Sequence, residues 1–527
     1  MAKTAFSTLT IVETSDVHGN IFPISYGSRK TTPLGLGKVS TYVKELREQK
    51  DNLLVIDNGD LIQGTPLTYH YVKFLAHKPN PMITVLNNIG YDGAVVGNHE
   101  FNYGIGPLKS AASQANCPYL SANIVHKATK EPYFGIPYFI KTFSDGLKVA
   151  VLGVTTHYIP NWENPKHISD LHFYDAVVST KRWVGYIREV EQPDVMIVSY
   201  HGGFERDLQT GESSEVETGE NQAYRICQEI EGIDVLLTGH QHRQLTGSVN
   251  GVTIVQPGYN GQFVGNVTLQ LKKRGGEWII ISKSSDLVDL SNFESDEEVL
   301  SLVQSYENAT QHWLDQPIGK INGNMEIDSP LQARLVEHPW IEFINKVQME
   351  STGADISNTA LFNNAGLGLP QHVTMRDIVS NYVYPNTLTV IRLMGQDIRA
   401  ALERSASYFL LSDDGSVQVN PKFSIPKPQH YNYDMWEGID YIIDLTKPIG
   451  ERITKLQYQG NDIEESAQYD VVMNNYRAGG GGEYKMFWDK PVIKDIQIDM
   501  TELLANYFLK HEEVKATVNH NWKVITK

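Results

Sequence analysis

The sequence predicts a two-domain α/β protein, and three observations predict it. The chain has 527 residues, too many for one ordinary hydrophobic core. Its first half alternates short apolar runs with segments of helix length, the pattern of a largely parallel, buried sheet. Near residues 290–330 that alternation gives way to one amphipathic helix, after which a new series of elements begins.

Taken in order, L-T-I-V-E-T reads as a strand, and the segment after it places Leu36, Val39, Val43 and Leu46 on one helical face. N-L-L-V-I-D is again a strand, and A-V-V, V-A-V-L-G-V, V-M-I-V-S-Y and V-L-L-T continue the series. Helix-length spacers such as A-Y-R-I-C-Q-E-I separate several of them. V-T-I-V-Q, Q-F-V-G-N-V-T-L-Q-L and E-W-I-I-I-S have no such spacer, so antiparallel strands are expected to close this domain. Ser295 and Glu298 have the spacing of a capping box. Val299, Val303, Tyr306 and Trp313 fall on one stripe of the helix that would follow. The expected division is a first domain over residues 1–290, a linking helix and connector over 291–330, and a second domain over 331–527. The second opens with the helix W-I-E-F-I-N-K-V and contains the strands N-T-L-T-V-I-R-L and Y-D-V-V-M-N-N.

The formal charge of −17 argues against a nucleic-acid polymer or an anionic membrane as partner. No apolar stretch reaches the 18 residues of a membrane span, and the N-terminus has no signal-peptide core. The expected compartment is the cytoplasm, with a secreted protein whose leader was removed as the alternative. Cys117 and Cys227 stand alone beside apolar residues and read as buried thiols.

The chemistry collects where strands end. T-S-D-V-H-G supplies Asp16 and His18, and I-D-N-G-D supplies Asp60. V-V-G-N-H-E supplies Asn98, His99 and Glu100, V-S-Y-H-G-G supplies His201, and L-L-T-G-H-Q-H supplies His240 and His242. One polar turn of this kind is ordinary loop chemistry. Five of them, in a sheet whose carboxyl edge gathers such turns, describe a site. The donors mix carboxylate oxygen with imidazole and include no thiolate, which suits Zn, Mn, Fe or Co. They outnumber the ligands of one open catalytic ion, so two divalent metal ions are expected, with an aspartate placed to bridge them. Two such ions against two carboxylates would leave a locally cationic pocket in an acidic protein.

D-x-H, G-D, G-N-H-E, H-G-G and G-H-x-H, in this order over the first 270 or so residues, resemble the calcineurin-like metallophosphoesterases. The resemblance implies a four-layer α/β/β/α sandwich. It assigns Asp16, His18, Asp60 and His242 to one ion, and the bridging Asp60 with Asn98, His201 and His240 to the other. It leaves His99 as the catalytic imidazole. The implied reaction is hydrolysis of a phosphate ester, with His99 stabilising the transition state or protonating the leaving alkoxide. Glu100 reads either as a carboxylate orienting a histidine or as a structural partner.

The second half offers aromatics beside glycine. N-N-A-G, Y-P-N-T-L, Y-N-Y-D-x-x-x-G and N-N-Y-R-A-G-G-G resemble the C-terminal domain of the 5'-nucleotidase family, and match best its 2',3'-cyclic-nucleotide 2'-phosphodiesterase/3'-nucleotidase branch. The implied fold of this half is a mixed α/β substrate-binding domain. The implied substrate is a nucleotide, its base sandwiched by Tyr431 and Tyr476, with Asn364, Gly366 and Gly480 as further binding positions. Two departures from 5'-nucleotidases favour the cyclic branch. Asn102 stands where those enzymes carry an aspartate paired with the catalytic histidine, making His99 and Asn102 the expected catalytic pair. N-N-A-G-L-G-L also lacks the arginine of their glycine-rich motif. A 5'-nucleotidase or nucleotide-sugar hydrolase is the alternative on the same scaffold, and a non-catalytic nucleotide-binding protein a third.

Overall fold

The computed structural model describes residues 5–527 except 162, 164, 215, 216, 363, 385, 426, 497 and 512. Asn363 of N-N-A-G and Pro385 of Y-P-N-T-L therefore lie outside the described residues. The chain divides into two compact units, one ending at Thr310 and one beginning at Gln311.

In unit 1 the strands β1 (Phe6–Thr14), β2 (Asn52–Asp57), β3 (Gly93–Val95) and β4 (Tyr119–Leu120) pair in parallel. Phe263–Arg274 joins the free side of β1 in antiparallel register and forms a hairpin with Glu277–Asp289. A second six-stranded sheet has the parallel strands Lys148–Thr155, Val195–His201, Val235–Thr238 and Val252–Pro257 at its centre. The absence of a helical spacer before V-T-I-V-Q suggests antiparallel pairing. That strand is antiparallel only to Gln244–Val249 and runs parallel to Val235–Thr238.

The two sheets pack face to face through Leu9, Ile11, Leu54 and Ile56 against Val149, Val151, Ile197 and Leu237. The outer face of the second sheet, with Leu152, Met196 and Val198, is covered by the helices Ala176–Val190 and Ala223–Glu229. The helix Leu36–Gln49 packs against β2 with Val39, Val43 and Leu46 buried. Four layers α/β/β/α result, and strands apolar on both faces are what such burial requires. Cys117 and Cys227 are buried free thiols, each pushed up to about 12 by burial.

The helix Glu297–Leu314 follows, with Val299 and Val303 fully buried. Its start differs from the expected capping box. Ser295 Oγ is buried with no hydrogen-bond partner among the described residues, and Asp296 Oδ1 accepts from Glu298 N at 3.1 Å instead. Asp296 is also fixed by Lys44 at 2.6 Å, a partner too distant in sequence for a local motif to reveal.

Unit 2 is built on a five-stranded mixed sheet in the order Asp434–Glu437, Ile356–Ala360, Gln468–Asn474, Leu388–Met394, Val492–Ile496. The helix Pro339–Thr352 covers it, started by His338, whose side chain accepts from Trp340 N, and by Pro339. Trp340, Phe343, Tyr433, Trp436 and Val472 are core. Among the described residues, no helix is long and apolar enough to cross a membrane.

Candidate active site

The five polar turns of unit 1 meet. Asp16 and His18 follow β1, Asp60 follows β2, Asn98 and His99 follow β3, and His201 closes the strand Val195–His201. His240 and His242 follow Val235–Thr238. Parallel strands in both sheets bring these ends to one edge, which is why residues far apart in sequence become neighbours.

Two groups of ligand atoms result. Asp16, His18 and His242 form one, and Asp60, His201 and His240 the other, the atoms of each lying within 4.8 Å of one another. Asn98 belongs with the second, its Oδ1 2.9 Å from His240 Nδ1 and 3.1 Å from His201 Nε2. His99 stands beside the first, its ring centroid 5.2 Å from that of His18.

The outward nitrogens decide whether these residues suit a cation. His18 Nδ1 lies 3.2 Å from Gln63 O, His201 Nδ1 2.7 Å from Asn58 O, and His240 Nε2 2.8 Å from Glu220 Oε1. A carbonyl or carboxylate oxygen only accepts, so each of these nitrogens carries a hydrogen. The other nitrogen of each ring faces the cluster, where at His201 and His240 it meets the oxygens of Asn98 and Asp60, so a proton holds the place that a cation would take in a metal-binding histidine. His18 Nε2 and His242 Nε2 approach to 3.0 Å, a distance that needs a proton or cation between them. The donor set therefore fits two divalent cations.

Electrostatics agree. Burial opposes ionisation of Asp16, but the hydrogen bond and charge of His242 outweigh it and hold the carboxyl below its usual range. Burial is outweighed at Asp60 too, by His201 and then His99. At His201 burial lowers the affinity for a proton, yet Asp60 raises it further and pushes the ring up to about 10.

Backbone shape is the unusual feature here. Asp16 (φ 53°), His18 (φ 50°), Asp60 (φ 57°), His240 (φ 67°) and His242 (φ 57°) are all left-handed, a conformation rare outside glycine. Such strain persists only where neighbours over-determine it. Glu100 is one such neighbour. Its carboxylate accepts from the backbone N–H groups of Gly97 (2.7 Å), Asp60 (2.9 Å), Leu61 (2.6 Å) and Ile62 (3.3 Å). Of the two readings open for Glu100, the contacts are those of the structural partner, a clamp on the Asp60 turn. Burial and then the Asp60 charge push it up to about 7. Gly97 cannot be larger, because a Cβ there would lie 2.4 Å from Asp60 Oδ1.

Beyond the cluster, His99 Nδ1 lies 2.7 Å from Asn102 Oδ1, and Asn102 Nδ2 donates to Glu163 Oε2 at 3.0 Å. Sequence reading missed Glu163 and Glu220. Each lies in a loop without a recognisable motif, and only the fold brings it to a histidine or its partner.

In unit 2, Tyr431 and Tyr476 are both half-buried, with ring centroids 6.3 Å apart and planes inclined at 76°. This is an edge-to-face pair rather than the parallel pair of a sandwich, so a base between them requires one ring to turn. Tyr433 and Trp436, from the same segment, are core residues. The Tyr476 ring lies on Gly481, where a Cβ would come within 2.5 Å of it, and Gly480 packs on the Trp488 indole. Asn364 is exposed and accepts from Arg334 Nη1 at 2.8 Å, while Gly366 is buried. Arg334, 1% exposed, comes from a separate helix and was not singled out in the sequence.

The family model for calcineurin-like phosphoesterases matches residues 9–244, and that for the 5'-nucleotidase C-terminal domain matches residues 317–489. The 2',3'-cyclic-nucleotide 2'-phosphodiesterase/3'-nucleotidase of Haemophilus influenzae is 28% identical over 98% of this chain and 87% of its own length. The trifunctional nucleotide phosphoesterase protein YfkN of Bacillus subtilis is 27% identical over 98% of this chain, which spans 39% of that longer protein. A Staphylococcus aureus crystal structure assigned to the 5'-nucleotidases superposes with a TM-score of 0.90 at 35% identity, covering 98% of this chain and all of that one.

Proposed function

We propose, from the premise that the chain belongs to the family joining a calcineurin-like phosphoesterase to a 5'-nucleotidase C-terminal domain, that it is a 2',3'-cyclic-nucleotide 2'-phosphodiesterase with 3'-nucleotidase activity. Members of this family are metal-dependent hydrolases of phosphate esters. The observation that carries the reading is the paired ligand clusters, with a half-buried histidine at their side and its ring held by an amide. Asp16, His18, Asp60 and His242 would hold one cation. Asp60, bridging, with Asn98, His201 and His240 would hold the other.

Two divalent cations bound there supply Lewis acidity at the phosphoryl oxygens and lower the pKa of water. The chain's own residues do the rest. His99 Nδ1–H is spent on Asn102, so when the ring is doubly protonated Nε2–H is the proton it can pass to the leaving oxygen, or aim at a phosphoryl oxygen, and the neutral Nδ1–H ring remains. The same imidazole would serve twice, first as the cyclic diester opens at the 2' oxygen and then as the 3'-phosphate is released. In unit 2, Tyr431 and Tyr476 offer stacking faces for any base, and Asn364, Gly366 and Gly480 are the proposed accessory binding positions.

Purified protein supplied with Mn²⁺ and offered 2',3'-cAMP, 3'-AMP, 5'-AMP and a nucleotide sugar in parallel tests the assignment. Turnover of the first two is the expected result. The 35% identity to the Staphylococcus aureus structure favours a second reading, a 5'-nucleotidase, and turnover of 5'-AMP alone would establish it instead.

A further inference from the structure

We propose that Glu163 is a positioning residue that sets the tautomer of His99 by fixing which way round the Asn102 amide sits. The inference rests on the reading of His99 as the proton donor of a phosphohydrolase. Asn102 Oδ1 lies 2.7 Å from His99 Nδ1, and its Nδ2 donates to Glu163 Oε2 at 3.0 Å. The other Glu163 oxygen lies 2.8 Å from His167 Nδ1. Glu163 is 8% exposed, so its carboxylate faces these partners rather than bulk water.

The chemistry follows from the two ends of a carboxamide. They have nearly the same shape and opposite hydrogen-bonding character. With the oxygen toward His99, Nδ1 keeps its hydrogen throughout, so the doubly protonated ring can give up its Nε2 proton and leave a neutral Nδ1–H tautomer, its lone pair on Nε2, that the amide oxygen already satisfies. With the NH₂ group toward His99, Nδ1 must accept, and the hydrogen moves to Nε2. Asn102 alone has little reason to prefer one arrangement. A carboxylate at 163 removes the choice, since it accepts and never donates, and only the NH₂ end satisfies it. A buried anion thus acts on His99 through a neutral relay, where an aspartate at 102 would act by direct contact. The carboxylate has been moved one residue outward, and the amide passes on its orientation.

Glu163→Ala, assayed with saturating Mn²⁺, should lower kcat about tenfold, the usual effect of losing a partner that orients a site residue, with KM and metal content unchanged. Adding Asn102→Asp to it should restore most of the rate, because a carboxylate accepts from Nδ1–H with either oxygen. Glu163→Gln keeps the volume and can still accept from Asn102 Nδ2 through its carbonyl oxygen, so it should retain more of the rate than Glu163→Ala. Nitrogen NMR of the imidazole is the second readout. Neutral His99 should be the Nδ1–H tautomer in the wild type and a mixture in Glu163→Ala. An unchanged kcat in Glu163→Ala, a double variant no faster than it, or one tautomer in both proteins would overturn the proposal. A wild-type protein that hydrolysed no phosphate ester would instead remove the functional reading, and the tautomer comparison would still decide the role of Glu163.

Discussion

Replacing Arg477 by methionine removes the cation paired with Asp434 between the tyrosine-bearing segments while keeping most of the volume. Arg477 and Asp434 are each 2% exposed, with Nε 2.8 Å from Asp434 Oδ2. Arg477 Nη2 also donates to Asp434 Oδ1 at 3.1 Å, to Tyr431 O at 2.8 Å and to Asn432 Oδ1 at 3.3 Å, and Nη1 donates to Gly481 O. The guanidinium lies 4.0 Å from the Tyr484 ring centroid. Methionine replaces none of these donors. Breaking a buried pair by deleting one member costs about 3–5 kcal/mol, because the other charge stays buried without compensation. Burial already raises Asp434, so in the variant it takes up a proton, and the loss is larger at pH 8 than at pH 5. Hydrogen exchange across residues 429–445 and 468–489 under increasing urea measures the change in unit 2 directly. A second substitution, Asp434→Leu, should recover most of the loss, since replacing both charges removes the unpaired one. The Tyr431 and Gly481 carbonyls lose their donor as well, so KM for nucleotides should rise while that for an aryl phosphate stays level. A change below about 1 kcal/mol in Arg477→Met, within the range of an exposed ion pair, would refute the reasoning.

Four further outcomes are expected. Asp60→Asn should lower bound metal from about two equivalents to one or fewer, measured by elemental analysis, and full occupancy would remove its bridging role. His99→Ala should keep its metal yet lose about 10²-fold in kcat on nucleotide substrates, and an undiminished rate would exclude it as the proton donor. Tyr476→Ala should raise KM for nucleotides about tenfold, the equivalent of roughly 1–3 kcal/mol of stacking, without changing KM for an aryl phosphate. Glu437 is buried facing Glu337 and Glu342, and burial first, then their charges, push it from 4.5 up to about 8. The folded chain keeps a proton there that the unfolded chain gives up above 4.5. This contribution to stability is complete below that pH and is lost as pH rises to about 8, at up to ~1.4 kcal/mol per unit. Glu437→Gln should flatten that slope in unit 2, and a variant with the wild-type slope would contradict it.

The cluster was legible because its candidate ligands follow the carboxyl ends of strands, and apolar runs announce strands. Each of the five turns pairs such a run with donors that loop composition alone rarely repeats. What stayed hidden depends on contacts distant in sequence. Glu220 meets His240 and Glu163 meets Asn102 only after the sheets have formed. Ser295 has the letters of a cap, but Lys44 and Ser40 hold Asp296 in the place where it takes over. Parallel pairing of Val252–Pro257 was equally out of reach, since spacer length constrains only a strand's immediate sequence neighbours. In unit 2 the segment Y-N-Y-D-M-W names several aromatics without ranking them. Alternation then buries Tyr433 in the core and leaves Tyr431 half-buried.

The left-handed turns at Asp16, His18, Asp60, His240 and His242 bear on how the protein acquires its ions. Each is disfavoured by roughly 1 kcal/mol, and the sheets and the Glu100 clamp hold these curls from within the chain. The mould is thus shaped by the chain's own contacts as unit 1 folds. One divalent ion could then leave and another enter with no unfolding between, so the occupant would follow what the surroundings supply.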